Sequence, residues 1–181
     1  MSGEVPPVRD LNAAALALIK SYEGFVPFVY DDRIAAPDYV WTDGKCYGCR
    51  PWQGDTPAGT LTIGYGHTDD ARDPLKCTLG SVITEPRASA VLDTDLSACR
   101  EDVDRLVTVD LSDDQFGALV SFQFNTGGLG RSSALMLLNQ GRYNEVPAHL
   151  ALWDREDGRV VQGLVNRRKA EIALWSGKLA A

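Results

Sequence analysis

One amphipathic stretch does most to limit the folds open to this chain. From Thr84, with Pro86 in the first turn, Ala88, Leu92, Leu96, Cys99, Val103 and Leu106 recur at intervals of 4, 4, 3, 4 and 3 residues. That is the period of one continuous apolar face on a long helix. The segments on its two sides differ in kind. Before it, 25–30 and 60–65 read as short strands, the second broken by Gly64 and Gly66. After it come helices: Ser112-Asp113-Asp114-Gln115 is a capping-box pattern opening a helix over 116–124, which Asn125-Thr126-Gly127 ends. Further helices are predicted over 133–139, 145–153 and 165–175, the last stopped by Gly177. This order predicts an α+β fold with a small β lobe and a larger all-helical lobe joined by the long helix.

Residues 1–9 read as a polar tail and 10–181 as a single domain, divided into 10–83 (N-terminal helix and β lobe) and 84–181 (linking helix and helical lobe). Asp10 is placed to cap a first helix whose apolar positions are Leu11, Ala14, Ala15, Leu18, Ile19 and Tyr22, with Gly24 as its stop. Glu23 is therefore the last residue of a buried helix, where the dipole disfavours negative charge and so favours a proton donor. Residues 33–58, rich in Pro, Gly, Asp and aromatics, read as a long ordered loop set into the β lobe.

The charge balance narrows the partners. Residues 1–125 carry 10 basic and 20 acidic side chains, and residues 126–181 carry 8 and 5. A net charge of −7 gives no bulk attraction for nucleic acid, and the mildly basic C-terminal part reads as a solvated surface. No apolar window of about 18 residues is present, so no stable membrane insertion is expected. The start, Met1-Ser2-Gly3-Glu4-Val5-Pro6-Pro7, lacks the basic and apolar regions of a signal peptide, which predicts synthesis as a cytoplasmic protein. A monomer is expected.

Glu23, Asp32 and Thr62 are the residue types that cleavage of a glycosidic bond requires. One carboxyl protonates the leaving oxygen, a second group serves the opposite face of the sugar, and a hydroxyl orients water. Paired acids are common on surfaces, so spacing alone does not decide. The wider pattern does. Glu23-Gly24, Tyr30-Asp31-Asp32 and Thr62-Ile63-Gly64-Tyr65-Gly66-His67-Thr68 resemble the phage-type lysozyme (endolysin) family, glycoside hydrolase family 24. The resemblance continues through Gln115–Phe122, Phe124-Asn125-Thr126-Gly127, Trp153 and Gly163–Glu171, in family order.

The resemblance implies a lysozyme-like fold and a muramidase that hydrolyses the β-1,4 bond between N-acetylmuramic acid and N-acetylglucosamine in peptidoglycan, with no cofactor and no metal. It implies Glu23 as catalytic acid, Asp32 as second carboxylate, Thr62 as catalytic threonine, and Arg167 as the arginine that pairs with the acid across the cleft. It also implies that Asp32 and Thr62 position a water, with inversion at the anomeric carbon. Such an enzyme waits in the host cytoplasm and reaches the wall in the periplasm after membrane permeabilisation. The departure from the family lies in spacing: its aspartate usually precedes its threonine by about six residues, whereas Asp32 precedes Thr62 by thirty. Asp55, seven residues before Thr62, is the second candidate and Asp31 an outside one; the spacing from Glu23 and the preceding Tyr30 favour Asp32. A lysozyme-fold domain that has lost activity and serves in binding or localisation is the alternative function, and a hydrolase of chitin-like polymers a third.

His67 is expected to support the cleft by hydrogen bonding rather than act as a base. Gln123 and Asn125 are expected to line the sugar cleft, with a helix-capping role for Asn125 an equal reading; His149 has no site around it. Cys46, Cys49, Cys77 and Cys99 form an even set, for which disulfides tying down 33–58 are favoured over buried thiols and over zinc.

Overall fold

The computed structural model describes residues 9–33, 40–42, 45–47 and 50–179, with side chains described outside 34–49. The chain forms two compact units, Ile19–Ala98 and the segments that flank it, up to Leu18 and from Cys99 onward. Two helices, α1 (Ala13–Glu23) and α2 (Glu85–Leu106), contribute residues to both units.

In the unit Ile19–Ala98, β1 (Val26–Asp31) is followed by β2 (Val40–Thr42), β3 (Lys45–Tyr47), β4 (Leu61–Gly64) and β5 (His67–Thr68). The sheet is antiparallel with order β1-β4-β5, and β2 pairs with β3 in a separate hairpin. Val26, Val29, Ile63, Tyr65, Ile83, Val91, Leu92 and Leu96 form its buried core. At Gly64, φ +68°, a Cβ would stand 3.2 Å from that of Ala88, so the turn after β4 packs tightly against α2.

The other unit holds α3 (Asp113–Thr126), α4 (Ser133–Asn139), α5 (Val146–Leu150), the hairpin β6 (Arg155–Glu156) and β7 (Arg159–Val160), and α6 (Gln162–Trp175). The capping box at the start of α3 is complete: the Gln115 backbone N–H donates to Ser112 Oγ at 3.2 Å, and the Ser112 N–H donates to Gln115 Oε1 at 3.0 Å. Gly127, left-handed at φ +54°, ends it. The helices α3 and α6 are the principal packed pair. A Cβ on Gly117 would overlap the Ala15 side chain, so glycine sets how closely α1 approaches α3.

Several local expectations shift. The cap of α1 is Asn12, whose Oδ1 accepts from the Ala15 N–H at 2.9 Å. Asp10 lies two residues too early and instead stands 3.6 Å from Arg100. The loop 33–58 contains the β2–β3 hairpin, whose three-residue strands are too short to show a period. The helix expected over 145–153 shortens to Val146–Leu150, with proline in its first turn and a 3-10 turn, Tyr143–Glu145, before it. The hairpin after it turns at Asp157-Gly158, with φ +49° and +78°, the backbone a type I′ turn demands.

Cys77 and Cys99 are free thiols, which corrects the favoured disulfide reading for these two; the side chains of Cys46 and Cys49 lie outside the described residues. Burial pushes the Cys77 thiol up to about 11, with Asp69 adding to the effect. Burial and then Asp102 push Cys99 up to about 11. Burial and the Glu85 carboxylate raise the Tyr65 phenol to about 12. All three groups hold their protons in the fold at pH values where the unfolded chain releases them. Stability is therefore expected to be fully present below about pH 9 and to fall as pH rises toward 11–12, measured by urea unfolding across that range. Peptide mapping after native alkylation at pH 8 is expected to find Cys77 and Cys99 unmodified.

Candidate active site

Strand register sets which way the predicted residues of β1 and β4 face. Tyr30 pairs with Thr62 and Asp31 with Leu61 across β1 and β4. Directly paired residues share a face and neighbours along a strand alternate. Thr62 therefore lies on the face of Tyr30, while Asp31 lies on the other; Asp32 follows in the turn after β1. The pairing extends past the strand end: the Asp32 N–H donates to the Thr60 carbonyl at 3.1 Å, and the Thr60 N–H donates to Asp32 Oδ1 at 2.7 Å. Asp32 is solvent-exposed, whereas Thr62 is buried with its hydroxyl donating to the Thr60 carbonyl at 3.2 Å.

Asp31 is buried and takes part in the backbone of the loop base. Its Oδ1 accepts from the Arg33 N–H at 3.0 Å and its Oδ2 from the Ala58 N–H at 2.6 Å. Gly59 lies against both acids, because a Cβ there would overlap the side chains of Asp32, Arg33 and Asp31. Asp55 is exposed and lines, with Asp31, Arg50, Trp52 and Gln53, a pocket of about 210 Å³.

Glu23 ends α1, half-buried, with Gly24 left-handed at φ +65° after it. A Cβ on Gly66 would stand 3.4 Å from Glu23 Oε2, so the turn joining β4 to β5 runs directly beside this carboxylate. His67, next in the chain, is buried. Its Nδ1 meets Asp95 Oδ2 at 2.8 Å and its Nε2 the Leu75 carbonyl at 2.9 Å. Both ring nitrogens are thus engaged inside the unit, and neither is left to take a proton from a substrate. Asp95 Oδ1 also accepts from the Asp73 N–H at 2.8 Å, and Asp73 Oδ1 from the Leu75 N–H at 3.0 Å.

The remaining predicted residues belong to the helical unit. Gln123 has both ends of its amide engaged: Nε2 donates to Asp102 Oδ2 at 2.9 Å and Oε1 accepts from the Leu129 N–H at 3.0 Å. Asn125 is exposed at the end of α3, where Arg168 Nη2 donates to its Oδ1 at 2.8 Å. Arg167 is buried and its Nε stands 3.4 Å from Glu171 Oε1.

Sequence reasoning missed the centre of this unit. Glu171 is fully buried between Arg167 and Arg168 and accepts from the Ser121 hydroxyl at 2.8 Å and from Arg168 Nη2 at 2.9 Å. Burial pushes its carboxyl upward, while Arg168, Arg167 and the Ser121 hydroxyl pull against the shift. The signal was a four-residue spacing, Arg167 to Glu171, on a helix with apolar neighbours. Among the described residues no cluster of side chains could hold a metal ion.

A family model described as phage lysozyme matches residues 44–171. The chain belongs to the phage lysozyme family. The matched span includes Thr62, His67 and Arg167 and begins after Glu23 and Asp32. The endolysin of Bacillus phage PZA is 41% identical over 169 residues, covering 92% of this chain and 55% of that protein. The chain thus spans about half the length of that relative. The SAR-endolysin of Escherichia phage Mu is 36% identical over 121 residues, covering 66% of this chain and 67% of the relative. Among solved structures, the muramidase domain of SpmX from Asticaccaulis excentricus is similar with a TM-score of 0.69 at 31% identity, over 92% of this chain and 97% of that one. The α+β lysozyme-like fold is accordingly that of its family.

Two substitutions test this geometry. Asp95→Asn removes the carboxylate that accepts from the Asp73 N–H and meets His67, with an expected loss of about 1–3 kcal/mol in urea unfolding. Gly59→Ala forces a methyl group into the space of both acids at the loop base. Urea unfolding is expected to lose about 1–3 kcal/mol, the cost of overpacking, while circular dichroism stays unchanged.

Proposed function

We propose that this chain is a muramidase that hydrolyses the β-1,4 bond between N-acetylmuramic acid and N-acetylglucosamine in peptidoglycan. Glu23 is the acid that protonates the leaving oxygen. Asp32 and Thr62 hold the attacking water, and inversion at the anomeric carbon follows from attack on the face opposite the leaving group. His67 supports the strand that carries Thr62. Arg167 sets charge in the cleft, and Asn125 contacts the glycan. Gln123 braces the end of α3.

The observation that carries this reading is the β1–β4 register. It leaves Asp31 on the face opposite Thr62, and the Asp32–Thr60 hydrogen bonds hold Asp32 beside the strand that carries Thr62, in the unit in which the Gly66 turn runs beside Glu23. Glu23, half-buried at the end of α1, stands beside that turn, and the exposed Asp32 is open to water. The same register argues for Asp32 over Asp31. Asp55 is disfavoured because it lines the pocket that Asp31 also lines.

The substrate is met at the cell wall, in the periplasm, after synthesis in the host cytoplasm and permeabilisation of the membrane. The Mu relative, whose name places it among the SAR-endolysins, supports action at that location. No helix among the described residues is long and apolar enough to cross a membrane.

Clearing of purified peptidoglycan tests the assignment. Glu23→Gln is expected to lower the rate by about 10²–10⁴-fold, the contribution of a general acid; equal clearing by wild type and variant would defeat the proposal. Asp32→Asn is expected to be similarly impaired and Asp55→Asn to remain near wild type, and the opposite pattern moves the second carboxylate to Asp55. NMR of the first-formed sugar reports the anomer, and a retained configuration rejects the water mechanism.

A further inference from the structure

The pocket of about 210 Å³ lined by Asp31, Arg50, Trp52, Gln53 and Asp55 lies within the unit Ile19–Ala98. Asp31 reaches it from β1, on the face opposite Thr62. The other walls come from residues 50–55, part of the excursion between β1 and β4. The pocket is therefore a feature of that excursion and not of the strand face that carries Thr62.

Its frame is fixed from several sides. The Trp52 backbone N–H donates to the Val29 carbonyl at 2.8 Å, and its indole N–H donates to the Asp55 carbonyl at 2.9 Å. Gly54, left-handed at φ +88°, lies so near Leu79 that a Cβ would stand 3.0 Å from that side chain. The Gln53 amide N–H donates to the Pro51 carbonyl at 2.8 Å, and Asp31 is held by the Arg33 and Ala58 N–H groups.

The charges in this frame are left open. Arg50 and Asp55 are both exposed, and among the described residues neither side-chain charge has a partner; nor do the two pair with each other. Opposite charges that share so small a pocket without closing on one another leave room for a group between them. A simple cation there meets the Arg50 guanidinium, and a simple anion meets the carboxylates of Asp31 and Asp55. A group that carries both charges avoids either conflict. Its carboxylate matches the planar fork of Arg50, and its ammonium matches Asp55. The volume agrees. Drug-sized ligands, a disaccharide among them, occupy about 300–1,000 Å³, whereas this pocket fits the end of one amino acid.

We propose that the pocket binds an α-amino acid end of a wall peptide, an ammonium and a carboxylate on one carbon, with Arg50 taking the carboxylate and Asp55 the ammonium. The wall as the source rests on the function proposed above; the charge pattern does not. A wall peptide presents such an end wherever a diamino diacid in it is not cross-linked. The pocket touches no reacting group, so its loss changes affinity for the peptide and not the rate on saturating wall.

Calorimetric titration of the full chain tests the pocket without reference to cleavage. The probes are a wall tripeptide ending in meso-diaminopimelate, the same peptide with lysine in that place, the first peptide with its side-chain ammonium acetylated, and free meso-diaminopimelate. The first is expected to bind at least about tenfold more tightly than the second and third, the size of one charge-assisted hydrogen bond. Equal affinity for the first and either of these overturns the proposal, as does failure of all the probes to bind.

Arg50→Gln is expected to weaken the diaminopimelate peptide to the level of the lysine peptide and to leave the latter unchanged, with the melting temperature that of the wild type. Equal losses on both peptides reject the carboxylate contact. A tripeptide that binds as tightly as free diaminopimelate, or more tightly, supports the wall as the source. A weaker tripeptide moves the ligand to a free amino acid and overturns that assignment. A wild type that clears wall but binds no probe leaves the enzymatic reading standing and removes this one; binding of the diaminopimelate peptide without clearing does the reverse.

Discussion

The geometry around Thr62 depends on the buried pair His67–Asp95. β5 is two residues long, too short to hold itself in a sheet by its own ladder. His67 fixes it by spanning Asp95 on α2 and the Leu75 carbonyl, and Asp95 holds the backbone of Asp73 with its second oxygen. β5 in turn pairs Thr68 with Thr62. The strand bearing the hydroxyl is therefore clamped on one side by β1 and on the other by a strand whose position is set by a buried side-chain hydrogen bond. A buried hydrogen bond adds only modest net stability, but it admits few geometries.

The helical unit follows the same principle with opposite composition. Glu171 is one acid among two arginines and a hydroxyl, all buried, reached from α3 and α6. Removing any member leaves the others charged and dry, so the cluster behaves as one object rather than as separate contacts. It also places Arg168 beneath Phe122, with its guanidinium 5.0 Å from the ring centre, and so ties the polar centre to the aromatic wall that supports Trp153.

What could be read from the sequence was whatever local periodicity or capping encodes. The apolar face of α2, the capping box at Ser112 and the span of α4 all depend on residues within a few positions of one another, and all three match the fold. The short strands did not show, because two or three residues carry no period, although Asp157-Gly158 did carry a turn signal. The choice between Asp31 and Asp32 requires knowing which residue stands opposite Thr62, a pairing across about thirty residues that spacing cannot supply. The other C-terminal charges misled for a related reason: Arg168 and Glu171 look like a solvated helical surface until their partners Ser121 and Asn125 are brought beside them.

The long excursion between β1 and β4 is pinned at its base. The Asp31 carboxylate takes the Arg33 and Ala58 N–H groups, Asp32 and Thr60 exchange two hydrogen bonds, and the Trp52 N–H donates to the Val29 carbonyl at 2.8 Å. Once these contacts close the ring, the number of residues beyond them enters the energy only through loop entropy, about 0.6 kcal/mol for each doubling of length. The excursion is in effect a cassette. Its content is free to change in length and sequence while the pairing of β1 with β4 stays insulated from the change.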